Sequence, residues 1–310
     1  MPKPLPAPGR YAQILYDDIF KLILAAPENR DLLMMLLNLL LPGLDITEIT
    51  FLDKEQHGFA FNEKKCIFDV YCETARKERI VVEMQYSSEE DFLDRTLFYA
   101  TYPIREQLVT RFRDLLRHWR PWLSRKRKAK KMQPYRLRPV YVVSILNFSL
   151  KHGSGTMLED GLVSRYELRE QSSGELMTGA LHFVFLELGR MTYGAAHPEK
   201  CRTVLEKLAF SLKYMTALQG RPGEMLEEIF QRLFDAAEIA SMSAEERKRH
   251  DKIMTTRIDI IAGRHNSYVE GLEEGMAKGM EEGFLRMAEQ LRKTGMSEEE
   301  IEEMVKDARS

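Results

Sequence analysis

Phe68-Asp69-Val70 and Val82-Glu83-Met84-Gln85 set three acid or amide side chains inside runs that otherwise read as buried β-strand. Strand alternation sends Asp69 to one face with Ile67 and Tyr71. It sends Glu83 and Gln85 to one face with Val81, leaving Ile80, Val82 and Met84 for the other. The polar segment Glu73-Thr74-Ala75-Arg76-Lys77-Glu78 suits the turn of an antiparallel pair, so Asp69 and Glu83 are expected to meet across the ladder. A buried carboxylate pair repels itself unless a cation or a proton sits between the two groups. Oxygen-only ligands with an open coordination sphere suit Mg²⁺ or Mn²⁺, which keep waters and bridge to phosphate oxygens. The expectation is a metal-dependent phosphodiester-cleaving site. Its plain alternative is a set of strand-edge polar residues facing solvent.

The elements that must position these groups follow from periodicity and breakers. Residues 11–26 have helical spacing, with Asp17 and Lys21 one turn apart, and a second helix is expected from Asn29, as N-cap, to a stop at Pro42-Gly43. Strands are expected over 46–52, 66–72 and 80–85, forming a three-stranded meander. A helix over 91–117 carries Arg95 and Tyr99, and further strands are expected over 140–147 and 181–188. From Pro198 onward the chain reads as helix, with breaks near Gly220-Arg221-Pro222-Gly223 and Thr294-Gly295, and a capping box at Ser297 to Glu300. The organisation is therefore an α/β core over residues 10–190 and a helical extension over 198–310. Between Val269 and Gly283 glycine recurs every fourth residue. Each interior glycine costs about 0.5–1 kcal/mol relative to alanine, and close approach to a second copy of the chain would compensate.

Net charge over the 310 residues is −2, but it is unevenly spread: the segment 111–138 holds twelve Lys or Arg against Asp114 alone. Both tryptophans lie in this basic insertion. Cations interleaved with stacking surfaces suit nucleic acid, so Arg117, Trp119, Arg120, Trp122, Arg125, Lys126, Arg127, Lys128, Lys130 and Lys131 are candidate DNA contacts. Cys66, Cys72 and Cys201 form no C-x-x-C pair, and the proline-rich start lacks the apolar stretch of a secretion signal, so a reduced, cytoplasmic setting is expected. The longest apolar run, Leu32 to Leu41, is interrupted by Asn38 and is far short of the roughly 20 residues that cross a bilayer; no membrane association is expected. The sequence carries no phosphate-binding G-x-x-x-x-G-K-[ST] or G-x-G-x-x-G loop, no H-E-x-x-H zinc motif and no G-x-S-x-G elbow.

Asp69, followed by Glu83-Met84-Gln85 on the next strand, resembles the recombination-promoting nuclease and transposase branch of the PD-(D/E)xK nuclease superfamily. Further segments match in order: Asp17-Asp18-Ile19-Phe20-Lys21 resembles the D-x-x-F-K helix, Arg95-Thr96-Leu97-Phe98-Tyr99 the R-x-x-x-Y helix, and Val142 to Phe148 a later core strand. The Glu-Gly repeats resemble the family's tail. The resemblance implies a restriction-endonuclease-like fold, with a mixed sheet flanked by helices. It also implies that Asp69, Glu83 and the Met84 backbone carbonyl hold the metal. Gln85 stands where the superfamily pattern has Lys; an amide can orient water but cannot take its proton as an amine does. The resemblance gives Asp17 the role of an outer ligand or orienting acid, and Lys21 could supply the charge that Gln85 lacks. The ordinary alternative for these two is a surface i, i+4 pair contributing about 0.3–0.5 kcal/mol. Arg95 and Tyr99 become candidate DNA contacts, with packing on the core as their alternative.

Two functions follow from different classes. The first is a Mg²⁺- or Mn²⁺-dependent DNA endonuclease, linked by resemblance to recombination or element mobility. The second is a catalytically weak DNA-binding protein that keeps the fold and self-associates through its C-terminal helical region.

Overall fold

The apolar run Leu32 to Leu41 forms a buried helix, and its one amide explains how the chain leaves it. In the computed structural model, which describes residues 9–52, 55–56, 66–118, 135–153, 158 and 160–309, Asn38 donates from Nδ2 to the carbonyl of Ile46 at 2.9 Å and accepts that residue's N–H at 2.8 Å. This two-point clamp holds the segment after the helix, where Asp45 and Gly43 take positive φ, 47° and 84°.

In chain order the elements are α1 (Asp17–Leu24), α2 (Arg30–Leu40), β1 (Ile49–Phe51), β2 (Glu55–Gln56), β3 (Cys66–Ile67), β4 (Val70–Thr74), β5 (Arg79–Gln85), α3 (Phe92–His118), β6 (Val140–Leu146), β7 (Val163–Glu167), β8 (Leu181–Glu187), α4 (Val204–Tyr214), α5 (Glu228–Ala237), α6 (Ala244–Lys293) and α7 (Glu298–Arg309). Six strands form one mixed sheet in the order β1-β4-β5-β6-β8-β7, and β2 pairs with β3 separately. β1, β4 and β5 are the expected antiparallel meander; β5, β6 and β8 run parallel, and β7 closes the edge antiparallel to β8. The parallel strands bury apolar side chains on both faces, as expected of strands covered on both sides, with Glu83, Ser144 and Glu187 as buried polar exceptions. On the face that carries Val140, Val142 and Leu146, α3 supplies Phe92, Ala100 and Ile104 to the core.

Four local differences from the sequence reading have physical causes. Residues 11–16 are not helical: Ala12 donates to the carbonyl of Ala237 at 2.8 Å and Ile239 to that of Arg10 at 3.1 Å, so residues 10–12 run along the end of α5, 13–16 form a turn closed by Tyr16 N–H to the Gln13 carbonyl at 3.1 Å, and α1 starts at Asp17. Asn29 stands at the start of α2 but forms no side-chain cap; its Nδ2 donates to the Ile23 carbonyl at 2.8 Å, tying α1 to α2. The strand expected over 66–72 is interrupted at Phe68-Asp69, and β7 was not expected. The last element begins as expected, with Ser297 and Glu300 exchanging hydrogen bonds at its start.

The chain divides into two compact units. The larger extends to His250 and includes α4 and α5, which pack on α2; the smaller consists, among described residues, of 251–309. No described helix is long and apolar enough to cross a membrane.

Candidate active site

The interruption at Asp69 has a purpose visible in its hydrogen bonds. β4 and β5 pair with Val70 opposite Val82 and Tyr71 opposite Val81, which carries Asp69 opposite Glu83. Asp69 does not continue the ladder through its backbone geometry. Its Oδ2 instead accepts the N–H of Met84 at 2.7 Å, so a side chain takes the place of a strand partner. The other oxygen, Oδ1, accepts from the ammonium of Lys21 at 2.9 Å, delivered from α1. Asp69 is only 4 % exposed and Glu83 6 %. Burial pushes the Asp69 carboxyl above its ordinary value, against the opposing pull of Lys21 and of the Met84 N–H.

Glu83 is the less satisfied of the two. Its carboxyl takes a hydrogen bond from the backbone N–H of Asp69, but its Oε1 is buried with no hydrogen-bond partner among the described residues. Burial, and then the negative charge of Asp69, hold it well above the usual carboxylate range. Burial alone would lower the Lys21 pKa; the charge and hydrogen bond of Asp69 outweigh that and leave it raised. Asp17 and Asp18 add to the same effect, with Asp17 half-buried near this cluster and Asp18 exposed.

Gln85 ends β5 with its amide fixed. Arg95 Nη2 donates to Gln85 Oε1, and Arg95 Nη1 pairs with Glu89. A guanidinium can only donate, so the Gln85 oxygen must face Arg95, and what Gln85 can still offer are the N–H donors of its amide. Tyr99 sits in an aromatic cluster, 5.9 Å from the Phe68 ring and edge-on to it. The Met84 side chain is fully buried and its N–H is taken by Asp69, so a contribution to a metal would come from its carbonyl.

Sequence reasoning missed Ser144. It lies on β6 in register with Glu83, is 1 % exposed, and its Oγ has no partner among the described residues. A serine in an apolar strand carries no signal by itself; only the strand register sets it beside an equally unsatisfied carboxylate. Arg117 lies in the last turns of α3, where side chains are not described. Trp119, Arg120, Trp122, Arg125, Lys126, Arg127, Lys128, Lys130 and Lys131 lie outside the described residues.

A family model of PD-(D/E)XK nuclease family transposases matches residues 14–266. The chain belongs to this family. No curated protein and no solved structure matches it significantly. Within the PD-(D/E)XK nuclease family transposases, the matched span takes in both carboxylates, Lys21 and the whole six-stranded sheet. Nucleases of this superfamily generally use divalent metals. The donor set fits such an ion: one carboxylate on β5 and one just ahead of β4, the former with a buried oxygen that has no partner among the described residues. Among the described residues no group of three or more His, Cys, Asp or Glu side chains gathers as a metal site, so the protein's own side-chain ligands here would be this pair.

Proposed function

We propose that the chain is a divalent-metal-dependent DNA nuclease whose centre is Asp69 and Glu83. The observation that carries the reading is the Glu83 Oε1, buried without a partner beside a second carboxylate. Leaving a buried acceptor unsatisfied costs about 1–3 kcal/mol, and more for a charged group, a cost with no structural return. Asp69, Glu83 and the Met84 carbonyl would hold Mg²⁺ or Mn²⁺, and the ion supplies Lewis acidity toward a phosphate and lowers the pKa of bound water.

The remaining roles belong to the chain's own groups. Lys21 neutralises Asp69 and brings a positive charge to the place where a phosphodiester would dock. Gln85, its oxygen held by Arg95, presents amide N–H donors that can orient an attacking water or a phosphate oxygen but cannot accept a proton. Arg95 therefore serves Gln85 as a positioning residue. Asp17 tunes Lys21 and Asp69 through its charge. The basic insertion 111–138, at +11, would neutralise DNA phosphates and make binding fall steeply with salt.

Supercoiled plasmid incubated with purified protein should be nicked or linearised with Mg²⁺ or Mn²⁺ and left intact with EDTA. Asp69→Asn and Glu83→Gln should each lower the rate by at least about 10³-fold while DNA binding persists. Cleavage in EDTA, or equal cleavage by the variants, would contradict this function. Binding without cleavage under any metal would support the catalytically weak, DNA-binding alternative.

A further inference from the structure

Helix α6 carries an exposed apolar stripe along its middle. Tyr268, Leu272, Met276 and Met280 are 66 %, 50 %, 60 % and 59 % exposed, and recur one turn apart. Toward the N-terminus the same side of the helix continues through Ile261, Ile258 and Met254, with Ile258 47 % exposed. Beside the C-terminal part of the stripe stand Gly271, Gly275, Gly279 and Gly283, and apart from chain neighbours and the helix's own backbone no described atom comes within 4 Å of where a Cβ would be on any of them. A glycine-bearing, apolar helix face exposed to water combines two unfavourable features, loss of helix propensity and unburied apolar surface.

The charge and bulk of the two halves of this face are opposite in kind. Residues 252–264 hold Lys252, Arg257 and Arg264 against Asp259, whereas residues 270–282 hold Glu270, Glu273, Glu274, Glu281 and Glu282 against Lys278. The branched side chains Ile258 and Ile261 lie in the first half, and the close run of glycines lies in the second. A parallel, in-register pair would stack the acidic half on itself and set glycine against glycine. An antiparallel pair centred near Ser267 sets Ile261 against Leu272, Ile258 against Met276 and Met254 against Met280. The same alignment lays the basic half of each copy along the acidic half of the other. Apolar matching and charge matching thus select the same centre independently. Some of the acids already have partners within the helix, such as Glu282 with Arg286 at 3.4 Å, but these exposed pairs contribute little and are exchanged at small cost.

We propose that α6 is a self-association helix that pairs antiparallel with α6 of a second copy of this chain, about a two-fold axis near Ser267. The interface is isologous, so it closes at two copies and does not propagate.

Pulsed-dipolar electron paramagnetic resonance on the full-length protein tests this directly. A nitroxide is placed at Ser267→Cys or, separately, at Glu281→Cys; wild-type protein, which carries Cys66 and the buried Cys72 and Cys201, supplies the labelling background to be subtracted. At 1.5 Å rise per residue, antiparallel pairing separates the two labels at position 281 by roughly 40 Å, while the labels at position 267 lie within about 20 Å. Leu272→Lys with Met276→Lys should abolish the dipolar signal and halve the sedimenting mass. Short distances at both positions would overturn the antiparallel arrangement in favour of a parallel one. Absence of any dipolar signal, with a monomer by sedimentation, would overturn self-association through α6.

Discussion

Glu83 and Glu187 are both buried carboxylates of the same sheet, yet they are treated in opposite ways. Glu187, 0 % exposed at the end of β8, is saturated: Oε2 accepts from the Leu150 N–H at 2.8 Å and from Arg190 Nε at 2.9 Å, while Oε1 meets His152 Nε2 at 2.6 Å and Ser164 Oγ at 3.1 Å. Arg190 also donates to the Leu150 carbonyl at 2.9 Å, so one carboxylate knots the segment after β6 to the end of β8. Gly189 makes the knot possible, since a Cβ there would stand 2.4 Å from the Phe148 carbonyl carbon. Glu83 has one oxygen with no partner and a like charge beside it. A carboxylate used as a structural clamp is fully bonded from within. One left open on an oxygen depends on something bound, a proton or a ligand, to complete it.

The contrast sets the expected order of effects. The largest belongs to Glu187→Ala, which removes the shared acceptor of the half-buried Arg190, His152 and Leu150 N–H and of the buried Ser164 hydroxyl. Loss of one partner of a buried pair costs about 3–5 kcal/mol, or roughly 6–20 °C in Tm for a unit of this size. Thermal denaturation should report that drop, with Mn²⁺ binding unchanged at temperatures where the protein is folded. A drop under about 1 kcal/mol would erase the distinction between the two glutamates.

Lys21→Ala comes next. It removes the cation from Asp69 and leaves that carboxylate with the Met84 N–H alone, at an expected cost of about 1–2 kcal/mol in chemical denaturation. Plasmid cleavage should fall about 10- to 100-fold, a loss of roughly 1.4–2.7 kcal/mol in transition-state stabilisation. Cleavage at the wild-type rate would reduce Lys21 to a structural partner of Asp69.

The smallest effect has the most informative sign. The Glu83 carboxyl is raised in the folded protein, so between its ordinary value and the raised one the folded state holds a proton that the unfolded state has released. Its contribution to stability is present below the ordinary carboxylate pKa and is lost as pH rises through the folded value. Metal-free protein should therefore melt at lower temperature as pH increases across that window. Glu83→Gln, which cannot ionise, should flatten the profile and melt above the wild type at pH values beyond that window. Melting curves in EDTA at stepped pH would show this; an unchanged slope in the variant would assign the dependence to other groups.

Much of this architecture was legible in the sequence. Period-two alternation around a polar turn pointed to the antiparallel β4–β5 pair and to Asp69 and Glu83 near each other across it, without reference to the rest of the chain. Lys21 stood out as a candidate cation through the resemblance of Asp17 to Lys21 to the D-x-x-F-K helix, whereas its spacing from Asp17 alone suggested a surface pair; its bond to Asp69 crosses 48 positions of sequence and only packing of α1 against β5 brings it about. Residues 11–16 share the apolar spacing of a helix, and a competing backbone pairing with residues 237–239 decided otherwise. Ser144 gave no signal because its significance lies in register with Glu83. β7 was hidden by Ser164, Arg165 and Glu167, polar residues of an edge strand that breaks up the apolar run.

Calorimetric titration of Mn²⁺ into wild-type protein, Glu83→Gln and Glu187→Gln at one pH measures whether the open oxygen of Glu83 completes a metal site. Binding to wild type and to Glu187→Gln, with loss of at least about tenfold affinity, or 1.4 kcal/mol, in Glu83→Gln, is the expected result. Equal affinity in wild type and Glu83→Gln would contradict it.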